Sequence, residues 1–196
     1  MPLSISDGAG KGNLAAVNDE NQLQVIAETL SLPNFQSATH GQAFTAIGEA
    51  TCAAATVVAL HLKNTDVARN LVVYDVHLQV VDAAGGTAFP SAANYYEVAL
   101  NRTVASGGSA VTAANMNTTS GNTPSVTLTD GAPTMAGTAA VIDKDIIKDD
   151  GFLRIHTYDG AVILGNNETL ELSMVGDHTS GTIVATAHFA MVHHGA

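Results

Sequence analysis

A chain of 196 residues with a single cysteine, Cys52, is long enough for one domain with an extension and cannot hold an internal disulfide. Seven basic against 18 acidic residues give a formal charge of −11, which excludes the clustered Lys and Arg that binding to nucleic-acid phosphates requires. Hydrophobic residues make up 46% but aromatics only 5%, with no Trp, so the apolar content is mostly small and aliphatic, and sugar-stacking platforms are scarce.

Residues 1–12 are small, polar and Gly-rich, as in a tail that a partner orders. The opening MPLSISDGAGKG has no basic start and no apolar run, so no signal peptide is expected. Its Gly8-Ala9-Gly10-Lys11-Gly12 stretch lacks the strand and spacing of a phosphate-binding loop. In NLAAVNDENQLQVIAETLSLP, the apolar stretches Leu14–Val17 and Leu23–Ile26 flank the polar turn Asn18–Asn21, which predicts a hairpin. A lone hairpin is marginal in water, so it must dock on the main domain or on a neighbouring subunit. Leu32-Pro33-Asn34 reads as a hinge. The expected division is an arm over residues 1–35 and a second domain over 36–196.

From about residue 38 the chain reads as strand after strand. In ATVVALHLKN, alternation places Val58, Leu60 and Leu62 on one face and Val57, Ala59, His61 and Lys63 on the other. The segment's apolar run is far too short to cross a bilayer. LVVYDVHLQVV sets Val72, Tyr74, Val76, Leu78 and Val80 against Val73, Asp75, His77 and Gln79. YYEVALNRT, SVTLT, FLRIHTY, AVIL, TLELSMV and TIVATAHFAMV complete about eight strands, with Asp159-Gly160 predicted as a two-residue hairpin turn. IDKDIIKDDG is the strongest helix signal, with Ile142, Ile146 and Ile147 on one face and Gly151 as its stop. The fold expected is an all-β, jelly-roll-like antiparallel sandwich with an N-terminal arm. The small-residue, low-complexity loops 103–125 and 130–140 exceed ordinary connection lengths, which marks them as functional or interface-forming.

Chemistry is sparse. An EF-hand loop starting at Asp143 would place Ile147 and Lys148 where it needs a ligand and a glycine, so residues 143–150 read as a solvated acidic turn. Of the eight histidines, His188 and His194 are predicted on one face of a strand and His193 on the other, while His61 and His77 could meet on neighbouring strands. They lack zinc-ligand spacing, so no metal and no cofactor is expected. There is no G-x-S-x-G elbow, and Cys52 sits among alanines. No enzyme is expected.

Several segments resemble small virion structural proteins of tailed bacteriophages. AVNDENQLQVIAET is similar to their V-D-x-N-x-L hairpin, although Asp19-Glu20-Asn21 is displaced by one position. Leu62-Lys63-Asn64, Asp66 and Asn70-Leu71-Val72-Val73 match a hydrophobic-x-Lys-Asn…Asp…Asn-Leu-Val-Val pattern. AANMNTTSGN resembles their Asn-rich loop, and GNNETLELSMVG with TIVATAHFAMVHH their last paired strands. The likeness runs in order through most of residues 14–194. It implies a non-enzymatic protein of the virion, a capsid decoration (cement) protein binding the major capsid protein or other virion proteins as a homotrimer. It brings neither a catalytic residue nor a nucleic-acid or membrane partner. The expected contact residues are Leu14, Val17, Asp19, Asn21, Leu23 and Val25 in the arm, with Asn115 and Asn117 in the Asn-rich loop. A tail, baseplate or fibre component is the near alternative, and a carbohydrate-binding module the alternative from another class.

Overall fold

A computed structural model describes residues 16–17, 23–24, 40–81, 94–147 and 153–193. The chain divides into two compact units, Met1–Ser31 and Leu32–Ala196. In the first, β1 (Ala16–Val17) pairs antiparallel with β2 (Leu23–Gln24), Val17 opposite Leu23, so the two predicted apolar stretches pair at these residues.

The second unit is a β-sandwich. Its strands are β3 (Ala43–Thr51), β4 (Ala55–Asn64), β5 (Arg69–Val81), β6 (Tyr95–Leu100), β7 (Thr103–Ser106), β8 (Ser109–Ala110), β9 (Ala114–Asn115), β10 (Val126–Asp130), β11 (Thr134–Ala136), β12 (Ala140–Ile146), β13 (Leu153–Leu164), β14 (Thr169–Gly176) and β15 (Thr182–His193). One sheet has the order β12-β6-β14-β4-β10-β8 and the other β13-β5-β15-β3-β9, with β7 and β11 paired on their own. All these pairings are antiparallel. The low-complexity loops are thus partly laced into the sheets, β8 onto β10 and β9 onto β3.

The inner faces bury one aliphatic core, centred on Leu60, Leu62, Leu78, Leu172 and the tilted pair Phe44–Phe189, whose ring centroids are 5.7 Å apart. Removing such side chains from water is the main favourable term in holding the sheets together. Tyr96 ties them further, its hydroxyl accepting the Val80 N–H at 2.8 Å.

Simple alternation fails where the strands bulge. Between Asp75 and Val73 the β5–β15 register shifts, so Tyr74 is the extra residue. Leu71 and Val73 therefore join Val76, Leu78 and Val80 in the core, and Val72 and Tyr74 move to the outer face with Asp75 and His77. The β4–β14 register shifts in the same way between Leu60 and Val58, so Val57 and Ala59 share the core with Leu60 and Leu62. One extra residue reverses the phase of everything before it.

Two other expectations are corrected. Asp159-Gly160 is not a hairpin turn. Both residues have positive φ (49° and 83°), but they belong to a wide bulge inside β13, whose two halves pair with the same strand β5 on either side of Tyr74. Gly160 is required there, since a Cβ would lie 3.2 Å from Val72 Cγ1 in an already left-handed backbone. IDKDII is a strand, not a helix. Paired with β6, it turns Asp143 and Asp145 inward opposite Val98 and Tyr96 and leaves Ile142 and Ile146 exposed. The i, i+4 isoleucines share a face in either conformation, and the free edge of the sheet decided between the two.

Candidate functional site

Of the contact residues expected in the arm, Leu14, Asp19, Asn21 and Val25 lie outside the described residues, and Val17 and Leu23 face each other in the β1–β2 pair. Asn115 and Asn117 are half-buried and hold the Asn-rich loop together. Asn115 Nδ2 donates to the Gly41 and Asn122 carbonyls at 2.9 Å each, and its Oδ1 accepts the Asn117 N–H at 2.8 Å. Asn117 Oδ1 in turn accepts from the Thr119 backbone and hydroxyl, and Asn122 Nδ2 donates to the His40 carbonyl. Amide side chains here replace the backbone partners a loop lacks. What the loop presents outward is Met116, which sequence reasoning passed over.

The Lys-Asn…Asp…Asn-Leu-Val-Val segment forms the corner between β4 and β5. Asn64, fully buried, donates to the Arg69 and Leu164 carbonyls at 2.9 Å and accepts the Asp66 N–H. Asp66 accepts from the Ala68 and Arg69 N–H groups and pairs with the Arg69 guanidinium at 2.6 Å. Burial pushes the Asp66 carboxyl up, but these donors outweigh it and hold it below the usual aspartate value. The motif is a structural corner in this fold.

Three places where chemistry-bearing residues cluster stand out among the described residues. The first is the face of the six-stranded sheet turned away from the core, where His61, Glu171 and Ser173 are nevertheless buried. His61 Nε2–H donates to the Arg102 carbonyl at 3.0 Å, and the Arg102 guanidinium pairs with Glu171 at 3.0 Å. Burial raises the Glu171 carboxyl, with Arg102 pulling it back and Glu97 adding to the rise. Burial likewise lowers His61. These are structural pairings. His61 and His77 belong to different sheets, so their expected meeting does not occur.

The second place is the edge where β12 of one sheet faces β13 of the other. His156 and Arg154 sit opposite the core residues Val76 and Leu78, so they too point inward. His156 Nδ1 meets Asp143 at 2.5 Å, its Nε2 lies 3.5 Å from Asp145, and Arg154 pairs with Asp145. The Tyr158 ring stacks on His156 with centroids 6.4 Å apart. Burial and the nearby Asp143 raise the Tyr158 hydroxyl, keeping it protonated. Asp143 and Asp145 are therefore strand residues partnered by His156 and Arg154, which corrects the solvated-turn expectation. Lys148, Asp149 and Asp150 lie outside the described residues.

The third place is the outer face of the five-stranded sheet. Asp75 and His77, two apart on β5, share that face, and His188 on β15 stands directly opposite Asp75. Asp75 Oδ1 lies 2.5 Å from His188 Nδ1 and 3.2 Å from His77 Nε2. The two imidazoles meet edge to face, centroids 5.2 Å apart. On the same face Ile47, Val81, Leu153, Ile155 and Ile163 are exposed, interspersed with Thr45, Glu49, Gln79, Thr157 and Thr186. His193 ends the same strand in an exposed position, and His194 lies outside the described residues.

Other features offer little for catalysis. A surface cavity lined by Glu49, Ala50, Thr51, Gly131, Ala132 and Thr182 contains one titratable side chain, Glu49. Cys52 is buried. Among the described aromatics, Phe44, Phe189 and Tyr96 are in the core, Tyr74 is buried, and Tyr95 lies under the Lys144 ammonium at 4.1 Å. Neither a known family model nor any curated protein matches the chain.

Proposed function

We propose that this chain is a non-enzymatic structural protein of a phage particle, a capsid decoration protein that assembles as a trimer on the shell. The observation that carries the reading is the outer face of the five-stranded sheet. Five large aliphatic side chains stand exposed there, and Glu49 at one end and the histidine-paired Asp75 are the carboxylates of its β3 and β5 positions. Several large exposed aliphatic side chains on one face favour an association surface. Copies of a chain with charge −11 repel one another, and they approach most readily through a face that carries little of that charge. Its occupant in this reading is a second copy of the chain.

The strand order supports a jelly roll. Numbering the eight longest strands in chain order (β3, β4, β5, β6, β12, β13, β14, β15), one sheet runs 5-4-7-2 and the other 6-3-8-1, as in the two interlocked Greek keys of shell-forming proteins. The phage-like motifs agree with it, and the hairpin arm supplies a segment able to add to a neighbour's sheet edge. Many modest contacts then reinforce a shell through multivalency.

Electron cryomicroscopy of the native particle tests this. The expected result is density for the chain repeated in threes over the shell. Density confined to a tail or baseplate would replace the decoration role with the tail-associated one, and absence from the particle would end both. A carbohydrate-binding module would instead need an exposed aromatic platform, and the described aromatics do not form one.

A further inference from the structure

We propose that Asp75, His77 and His188 form a binding site for a divalent transition-metal ion of the zinc class. The three side chains come from two adjacent strands of a hydrogen-bonded sheet, so the backbone fixes their spacing. Asp75 and His77, two apart on one strand, share the outer face by alternation, and the sheet register sets His188 opposite Asp75. One ligand atom from each residue lies within 4.8 Å of the others. Bonds of about 2.0–2.1 Å in tetrahedral geometry put ligand atoms ~3.3 Å apart. The His77–Asp75 separation of 3.2 Å already meets that spacing, and the His188–Asp75 contact of 2.5 Å would need to open by less than an ångström.

The donor chemistry fits a borderline ion. Two imidazoles and one carboxylate suit zinc, copper, nickel or iron, whereas calcium and magnesium select oxygen donors. Three protein donors leave a fourth position, which the partial exposure of all three side chains (26–33%) opens to water or to a group on a docked surface. Cations do not compete for this site among the described residues. Arg69, Arg102, Lys144 and Arg154 are each paired with a carboxylate elsewhere, and Lys63 is on the other sheet. The similar set Asp143, Asp145 and His156 fails on this point, because Arg154 already holds Asp145.

The test is a titration of the full chain, freed of metal by a chelator, with Zn²⁺ followed by calorimetry and with Co²⁺ followed by visible absorption. One ion per chain is expected, with cobalt bands of low-symmetry coordination. The double substitution His77→Ala/His188→Ala should abolish both signals. Asp75→Asn should weaken binding at least tenfold, by analogy with the ~10–100-fold cost of removing even a supporting outer group. His193→Ala and Asp143→Asn should leave stoichiometry and spectrum unchanged. Failure of the wild-type chain to bind one ion would overturn the site. So would binding that survives the double substitution, or that disappears with His193 or Asp143. Ions are counted per chain, so failure of the site and failure of the association reading are read separately.

Discussion

At the edge of the sandwich, Asp143, Asp145, Arg154 and His156 lie between the sheets, each carboxylate held by a cationic or imidazole partner. On the outer face, Asp75, His77 and His188 use the same side-chain types with no guanidinium among them. The difference lies in which side of a strand each residue occupies. The edge set closes the gap between two sheets with Arg154 and His156 turned on the two carboxylates, so its contribution is to stability. The outer set is displayed on an exposed face, and in the proposed reading its contribution is to what that face binds. Identical residue types therefore carry different roles, and environment assigns them.

The comparison predicts a gradient of effects under substitution, with the largest where a charge is left buried and alone. Arg102→Ala strands Glu171, which is 3% exposed, and should cost about 3 kcal/mol, read as a lowered urea midpoint with unchanged slope. At the edge, His156→Ala removes a buried imidazole from between Asp143 and Asp145 and should cost about 2 kcal/mol. An edge substitution as mild as a surface one would break the contrast.

Acid sensitivity should trace to the β4–β5 corner. Because Asp66 is held below its unfolded value, the stability it contributes is present above the ordinary aspartate pKa and is lost as pH falls through the folded value. Asp66→Asn should flatten the decline in melting temperature below about pH 4, where the wild-type chain loses stability. Glu171 has the opposite sign. Its raised carboxyl means its contribution is full below the unfolded value and declines as pH rises through the folded one. The smallest effect belongs to the outer face. In metal-free protein Asp75→Asn should stay within about 0.5 kcal/mol of wild type, as a surface change does.

Much of this was legible beforehand. Alternation in LVVYDVHLQVV and TIVATAHFAMV predicted strands, and β5 and β15 occupy those segments. Alternation could not foresee the extra residue at Tyr74, which reverses the faces of Val72 and Val73. Nor could a dipeptide reveal that Asp159-Gly160 would bulge within one strand, because that depends on both halves finding β5. The helix reading of IDKDII failed because an available sheet edge outweighs weak local propensity. For the site, Asp75-Val76-His77 was a readable pair on one face. Its third member lies 113 residues beyond Asp75, and only the sheet register brings it there.

The account rests on the outer face of the five-stranded sheet being an association surface, and sedimentation equilibrium of the full chain beside Ile155→Asp tests that most directly. A carboxylate placed beside Leu153, two positions away on the same face, adds charge where apolar surface must lose its water. The account predicts a wild-type mass of three chains and a folded, monomeric variant. A wild-type chain that stays monomeric at every concentration, or a trimer that the substitution leaves intact, would contradict it.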